Sequence, residues 1–414
     1  MRKPRILFVA MQASPHVSRW ASMIADQGWD LHLFPVNAIP VLSDLKHVTV
    51  HQPWKAFGFP KIGASLEVAV TTERAIYPIP MVRKFARIAN VLKTSLGESG
   101  VRAPLLYGPG TLARLINDLK PDLIHSMEFQ HCGYNVLQAR ELVGAKNFPK
   151  WLATNWGSDI FYYRNDPNHN AQIRRLLAAI DYYSCECQRD VTLAREMGMM
   201  AKVLPVKPNS GGFDLLAIDP LRRSSRPSKR RLIMVKGYQH FAGRALVALD
   251  ALARISTILK DYKILVFAAS KEIYPRVKQL RVSYGLDIEI LSYTKHATML
   301  RLFADARCYL GVSISDAIST SMLEALAMGA FPIQTNTSCC EEWIEDGRTG
   351  FSIPPDEVDV IADRVRRAIT DDELVDQAAD LNWKTVTERL DATVMKRNVI
   401  NDYQEVLAAP LHRQ

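Results

Sequence analysis

The residues in this chain whose types and spacing could do chemistry gather between Ser315 and Gly350. Asp316 and Glu324 bracket the turn Ser319-Thr320-Ser321. This turn lies between a buried-type strand, Ala306 to Ser313, and the apolar spacing Met322, Leu323, Leu326, Ala327 of a helix ending at Gly329. The first amides of a helix lack intrahelical acceptors and carry partial positive charge. An anion set against Ser319, Thr320 and Ser321 therefore gains several donors at once, and the hydroxyls add more. Glu324, about one turn in, faces the same mouth, where a carboxylate accepts hydrogen bonds from paired sugar hydroxyls such as those of a ribose. The alternative reading of Asp316, Ser319 and Glu324 is a set of helix caps, because Ser or Thr followed by an acid three or four residues on is a common helix start.

Two cations could serve the same anion. Lys236 follows the strand Arg231–Val235, and Arg244 opens a helix predicted over Ala245–Leu259, so both stand where they can neutralise a diphosphate leaving group. Earlier in the chain, Glu128 and His131 follow the strand Pro121–His125, at the carboxyl end where an inward-facing polar site needs them. For His125 and His131 the competing reading is a ring satisfied by nearby backbone. His16 and Arg19 sit near the start of the first helix, where each could meet a substrate or simply be a surface residue.

The elements that must position these groups are those of an α/β protein. Arg5–Ala10 reads as a buried strand, an amphipathic helix with Val17, Trp20, Met23 and Ile24 follows, and Trp29–Val36 is the next strand. Further strands are expected at Trp151, Asp181–Cys185, Lys263–Ala268 and Ile288–Leu291, and helices at Gln188–Met197, Val358–Ala368 and over much of Trp383–Val406. A chain of 414 residues is too long for one typical core and suits two domains. The expected division is a domain over 1–208, a basic linker over 209–230 and a second domain over 231–384.

No apolar run reaches the length of a membrane span, and the basic start leads directly into a strand, so a cytoplasmic protein is expected. Met81–Lys93 is amphipathic, with Arg83, Lys84 and Arg87 opposite its apolar side. It is either an ordinary packed helix or a surface that touches an anionic membrane. The formal charge of +9 implies an anionic partner, and no nucleic-acid motif accompanies it. Cys132, Cys185, Cys187, Cys308, Cys339 and Cys340 show no C-x-x-C spacing. Free buried thiols are expected, with neither a zinc site nor a disulfide framework, and no Asp-x-Asp metal motif is present.

The segment from Asp316 onward resembles the donor-binding signature of retaining glycosyltransferases of family 4, in which two acids separated by seven residues precede a small-residue helix, a Gly, a Pro and a strand. Asp316 and Glu324 have that spacing, Ala325 to Gly329 gives the helix end, and Phe331-Pro332-Ile333 the strand. Glu341 or Glu342 and Gly347–Gly350 continue the match. The first acid is Asp rather than Glu, and Ala317–Ser321 replaces the Gly-rich turn. Gly157-Ser158-Asp159 resembles the family's Gly-x-Asp loop, with Trp156 where a His is usual, and Pro208–Asp214 looks like its interdomain junction.

The resemblance implies a GT-B fold, two facing Rossmann-like domains with parallel sheets and a last helix, about 385–414, crossing back to the first domain. It implies a nucleotide diphosphate sugar as co-substrate with no cofactor and no essential metal. The diphosphate would lie on Ser319–Ser321 with Lys236 and Arg244, the ribose on Glu324 and the base by Tyr293. The sugar would lie between Asp316 and the Glu128/His131 loop, either of whose two residues could face it. A saccharide or lipid-linked acceptor at the inner membrane face is implied likewise. The other readings are a nucleotide-sugar 2-epimerase and a non-catalytic nucleotide-sugar-binding scaffold. A dinucleotide-dependent oxidoreductase is disfavoured, because neither domain carries G-x-G-x-x-G after its first strand.

Overall fold

Why the site residues meet is explained by where two parallel sheets reverse direction. The computed structural model describes residues 2–37, 40–52, 73–74 and 107–410, so the amphipathic stretch 81–93 lies outside the described residues. The chain divides into two compact units, Met1–Cys185 with Val191–Ser210 and Lys396–Gln414, and Glu186–Asp190 with Gly211–Met395. Among the described residues no helix is long and apolar enough to cross a membrane.

In the first unit the strands are β1 (Arg5–Ala10), β2 (Asp30–Pro35), β3 (Thr49–His51), β4 (Glu73–Arg74), β5 (Leu123–Met127), β6 (Lys150–Thr154), β7 (Tyr182–Ser184) and β8 (Lys202–Val203). They form one parallel sheet in the order β4-β3-β2-β1-β5-β6-β7-β8. Helices α1 (Pro15–Ile24), α2 (Pro109–Leu119), α3 (Tyr134–Val143), α4 (Pro167–Ala179) and α5 (Gln188–Glu196) connect them. Apolar clusters cover both faces of this sheet, which is why Ile6–Ala10 of β1 reads as a continuous apolar run rather than an alternating one. The chain winds outward in both directions from β1 and β5. The loops after these two strands therefore diverge and leave a crevice at the carboxyl edge.

The last helix closes this unit. Val399, Tyr403 and Val406 join Ile6, Phe8 and Trp20 in one apolar cluster, and the Lys150 ammonium donates to the Val406, Leu407 and Ala409 carbonyls at the helix end. The Tyr403 hydroxyl accepts from Trp20 Nε1 at 2.9 Å and meets His125 Nδ1 at 2.6 Å, while His125 Nε2 meets Thr154 Oγ1 at 2.6 Å. His125 is thus a satisfied core residue, held by side chains rather than by backbone. Burial pushes it down to about 3 from 6.5. Its folded value lies below its unfolded one, so its contribution is fully present above pH 6.5 and is lost as pH falls toward 3. Stability should drop by about 1.4 kcal/mol per pH unit across that window from this group alone. Urea unfolding at pH 7.5 and 5.0 checks this: the wild type should lose about 2 kcal/mol more than His125→Gln between the two conditions.

The second unit has β9 (Leu232–Lys236), β10 (Lys263–Phe267), β11 (Asp287–Ile290), β12 (Ala306–Gly311), β13 (Phe331–Thr335) and β14 (Phe351–Ile353), parallel and in the order β11-β10-β9-β12-β13-β14. Its helices are α6 (Leu215–Arg222), α7 (Ala245–Arg254), α8 (Tyr274–Tyr284), α9 (His296–Asp305), α10 (Thr320–Met328), α11 (Val358–Thr370) and α12 (Asp372–Arg389). The chain's last helix, α13 (Ala392–Ala408), then begins. The reversal here falls between β9 and β12, so the Gly237–Gly243 and Val312–Ser319 loops form the crevice.

Two sequence expectations change. The basic stretch within 209–230 is not an exposed linker but part of the second unit, carrying α6 and a 3₁₀ turn at Pro227–Lys229. Arg230, 4% exposed, donates to the Arg222, Ser225, Ala306 and Met328 carbonyls. Arg222 lies 4.4 Å over the Trp383 ring. Two of the basic residues that suggested solvent, Arg222 and Arg230, are thus consumed by an aromatic face and by helix ends, while Arg223, Arg226, Lys229 and Arg231 are exposed. The long helical region near the C-terminus is two helices, because Asp391 Oδ1 accepts from the Thr393 and Val394 amides (2.8 and 3.0 Å) and caps a new start.

Candidate active site

β9 delivers Lys236 to the crevice of the second unit. Gly237 follows because a Cβ there would lie 2.8 Å from the Ala269 Cα and 2.9 Å from the Phe267 carbonyl oxygen. Lys236 Nζ stands 3.6 Å from Asp316 Oδ2 and 3.3 Å from Ser319 Oγ, 5.0 Å over the Tyr238 ring. Burial pulls its ammonium down, but the Asp316 carboxylate, together with Tyr309 and Tyr238, holds it above its ordinary value of 10.5. Lys236 is therefore a fixed positive charge at neutral pH.

Ser319 occupies the N-cap position of α10, yet its side chain does not cap the helix. Its hydroxyl turns instead to Lys236 and to Tyr309 Oη (3.2 Å), whose own hydroxyl donates to Gln334 Oε1 at 3.0 Å. Gly311 makes room for this chain of bonds, since a Cβ at that position would lie 2.3 Å from both Tyr309 Oη and Gln334 Oε1. The Ser319 carbonyl accepts from the Met322 and Leu323 amides, so Thr320 and Ser321 supply the first-turn donors left for an anion. The capping alternative for this stretch fails at Ser319, and it fails again at Glu324.

Glu324 is 7% exposed and meets His296 Nε2 through Oε1 at 2.8 Å. Its other oxygen has no partner among the described residues. His296, the first residue of α9, was not singled out in the sequence. No spacing within one helix or loop could have found it, because the contact joins the starts of two different helices. Tyr309 was missed for a similar reason, being an ordinary strand residue until Ser319 turns toward it.

Arg244 precedes α7, and its Nη1 donates to the His240, Phe241 and Gly243 carbonyls at 3.1, 3.3 and 2.9 Å. Its amide donates to Val312 O at 3.0 Å, and Gly243 bridges Ser313, so the two crevice loops are stitched together. Between them lies His240, whose Nδ1 accepts from the Ala242 amide at 3.1 Å. Burial, with Lys236 and Arg244 nearby, pushes this imidazole down, so it is a neutral ring carrying its proton on Nε2. Asp316 Oδ1 accepts from the Ala317 amide (3.0 Å), and its carbonyl accepts from Arg189 Nη2 (2.9 Å). Tyr293 is 98% exposed, outside the hydrogen-bonded group of Lys236, Asp316, Ser319 and Tyr309.

In the first unit, Glu128 leaves β5 with φ +90 and turns its carboxylate onto the π-helical turn Phe129–Gly133. Oε2 accepts from the His131 and Cys132 amides at 2.7 and 3.0 Å, and Oε1 meets His131 Nδ1 at 2.8 Å. The Glu128 side chain is 8% exposed and that of His131 46%. Glu128 is consumed in holding the turn, and His131 is the one of the pair presented outward. Asp159 Oδ2 accepts from the Phe129 and Trp156 amides at 3.0 and 2.8 Å. The Asp of the Gly-x-Asp loop thus fixes its neighbour loop, and Trp156 packs edge-on against His16.

The model of glycosyl transferases group 1 matches residues 222–382, and that of the glycosyl transferase 4-like family matches residues 84–186. No curated protein sequence matches the chain. Among solved structures, sucrose-phosphate synthase from Thermosynechococcus elongatus superimposes with a TM-score of 0.68 at 14% identity, covering 99% of this chain and 100% of that one. The UDP-forming α,α-trehalose-phosphate synthase from Burkholderia xenovorans gives 0.66 at 13% (98% and 100%). Anabaena HepE, solved in complex with UDP-glucose, gives 0.65 at 14% (97% and 99%). With the two matched segments falling one in each unit, and including the β5 loop of the first crevice and both loops of the second, the chain is a GT-B glycosyltransferase that resembles glycosyltransferase family 4.

Proposed function

We propose that this protein transfers a sugar from a nucleotide diphosphate donor to a hydroxyl acceptor, with retention at the anomeric carbon. The observation that carries the reading is the convergence at one sheet reversal of a fixed ammonium (Lys236), first-turn amides (Thr320, Ser321) and a buried carboxylate (Glu324). A diphosphate needs the first two and a ribose the third. That HepE was solved with UDP-glucose supports the donor class.

In this reading the bond from the anomeric carbon to the diphosphate oxygen breaks, and the charge left on that oxygen is met by Lys236 and the α10 amides, with Arg244 adding to the field. The same phosphate oxygen takes the acceptor's proton as the acceptor oxygen bonds to the anomeric carbon on that face. No divalent metal enters these steps. In the first unit the reading assigns His131, oriented by Glu128, to a sugar hydroxyl. A saccharide or lipid-linked acceptor follows from the family resemblance and from the basic charge of the chain.

A thermal-shift panel of UDP, GDP, ADP and dTDP sugars tests the donor site, because a ligand that binds only the folded state raises Tm by mass action. One nucleotide class should give a clear shift. No shift with any of them on folded protein would overturn the reading in favour of a scaffold. The ribose role has its own test: Glu324→Ala should weaken donor binding roughly 10- to 100-fold, as for loss of hydrogen bonds to a charged group. Unchanged affinity would sink that assignment.

A further inference from the structure

The three side chains Cys187, Cys339 and Glu342 take no part in the donor chemistry, yet their ligand atoms lie within 4.8 Å of one another. Among the described residues this is the one group of three such side chains that close. Cys187 is fully buried, Cys339 is 8% exposed, and Glu342 lies at a partly open edge. A tetrahedral zinc ion, with bonds of about 2.3 Å to sulfur and about 2.1 Å to oxygen, sets its ligand atoms about 3.6–3.8 Å apart. The observed grouping, within 4.8 Å, is of that scale.

The carboxylate is already aimed. Glu342 Oε1 and Oε2 accept from the Gln188 amide at 2.8 and 3.1 Å, and Oε1 also from the Arg189 amide at 3.4 Å, so Oε2, which accepts once, keeps a lone pair for a metal. Such outer hydrogen bonds orient a ligand and raise its affinity. The charges also suit a divalent ion. Two thiolates, one carboxylate and a 2+ ion leave one net negative charge. It would be met by the positive end of α5 and by Arg389, which donates to the Glu342 carbonyl at 2.6 Å. Arg189 and Asp190, beside the site, neutralise each other through a 2.8 Å bond.

We propose that Cys187, Cys339 and Glu342 bind one thiophilic divalent cation of the zinc class, with water in the fourth position at the Glu342 edge. Binding displaces one proton from each thiol, so two protons leave for each ion taken up. Because each thiol must lose its proton to bind, uptake favours alkaline over acid solution. The ion would staple the Glu186–Asp190 segment to the loop after β13. From that segment Arg189 reaches the Asp316 and Thr337 carbonyls (2.9 and 2.8 Å), so the staple is structural support for the Asp316 loop rather than part of the transfer chemistry.

The test is a titration of the chelator-treated, reduced full chain with Co²⁺ or Cd²⁺, read as thiolate-to-metal charge-transfer absorption, with zinc as competitor. The expected result is one equivalent bound, displaced by zinc, with a zinc-dependent rise in Tm. The band should vanish in Cys339→Ser and in Cys187→Ser, weaken at least tenfold in affinity in Glu342→Gln, and persist in Cys340→Ser, whose sulfur faces Gln334 O and Ser352 Oγ instead. Should Cys187→Ser fail to fold, Cys339→Ser and Glu342→Gln carry the comparison. No band in folded wild type, or a band that survives loss of either thiol, overturns the proposal. A reductant-reversible loss of two thiols without metal uptake overturns it as well, in favour of a Cys187–Cys339 disulfide.

Discussion

Lys236→Met is expected to lower kcat about 10²–10³-fold while leaving the protein folded, the size of effect seen when one preorganised charge or donor at a developing oxyanion is removed. Met keeps the apolar stem over Tyr238 and removes only the ammonium, so what is lost is the charge that the proposed mechanism sets against the departing diphosphate. The fold should tolerate the change. Asp316, left without its cation, has a side chain 29% exposed and can turn to water, and a partly exposed pair of this kind is worth about 1 kcal/mol at most.

The comparison with Asp316→Asn separates the roles. If Lys236 merely positions Asp316, both variants lose rate equally; if it meets the diphosphate, Lys236→Met loses far more. The pH dependence sharpens this. Lys236 titrates above 10.5 in the fold, so its contribution is fully present below 10.5 and is lost only at higher pH. A kcat profile that falls between pH 7 and 9 in wild type, and is flat in Lys236→Met, would contradict this.

The second large effect is on stability. Arg230→Met should cost about 3–5 kcal/mol, read as a drop in the urea midpoint. The five guanidinium N–H groups make five hydrogen bonds to four carbonyls, among them Arg222 O at the end of α6 and Met328 O at the end of α10. Burial pushes Arg230 down to about 10, so it still carries its charge at neutral pH and complements the negative ends of both helices. Removing it leaves those carbonyls buried without a donor. Because α10 carries the Thr320 and Ser321 amides at its other end, donor affinity should weaken along with stability. A loss below 1 kcal/mol would show that water or neighbouring groups replace the arginine.

Arg230 also marks where sequence reading stops. In the sequence it is one of several cations in an aperiodic run, and such a run is solvated unless something distant requires it. Here the requirement comes from Ala306 and Met328, far along the chain. The strands were legible because parallel sheets covered on both faces favour apolar runs, as Ile6–Ala10 of β1 and Leu232–Val235 of β9 have, while His125 and Ser126 interrupt β5 and Arg307 interrupts β12. Helix limits were legible to within a few residues, from Gly329 at the end of α10 and from the apolar spacing of α1 and α10. The break at Asp391 was not, because a polar-faced helical pattern runs through it and the capping bonds that stop it are local details of geometry.

By itself the sequence determined the α/β class and the placing of the turn Ser319–Ser321 between Asp316 and Glu324 at the start of a helix, since each follows from periodicity or from spacing along one element. Tertiary structure alone decided what those side chains touch. It turned Ser319 from its own helix toward Lys236 and Tyr309, gave Glu324 to His296, and spent Glu128 on a backbone turn so that His131 faces outward. The physical reason is the same in each case. Hydrogen bonds between elements depend on where the sheet reversal brings strand ends together, and that juxtaposition is a property of strand order, which no local pattern of residues encodes.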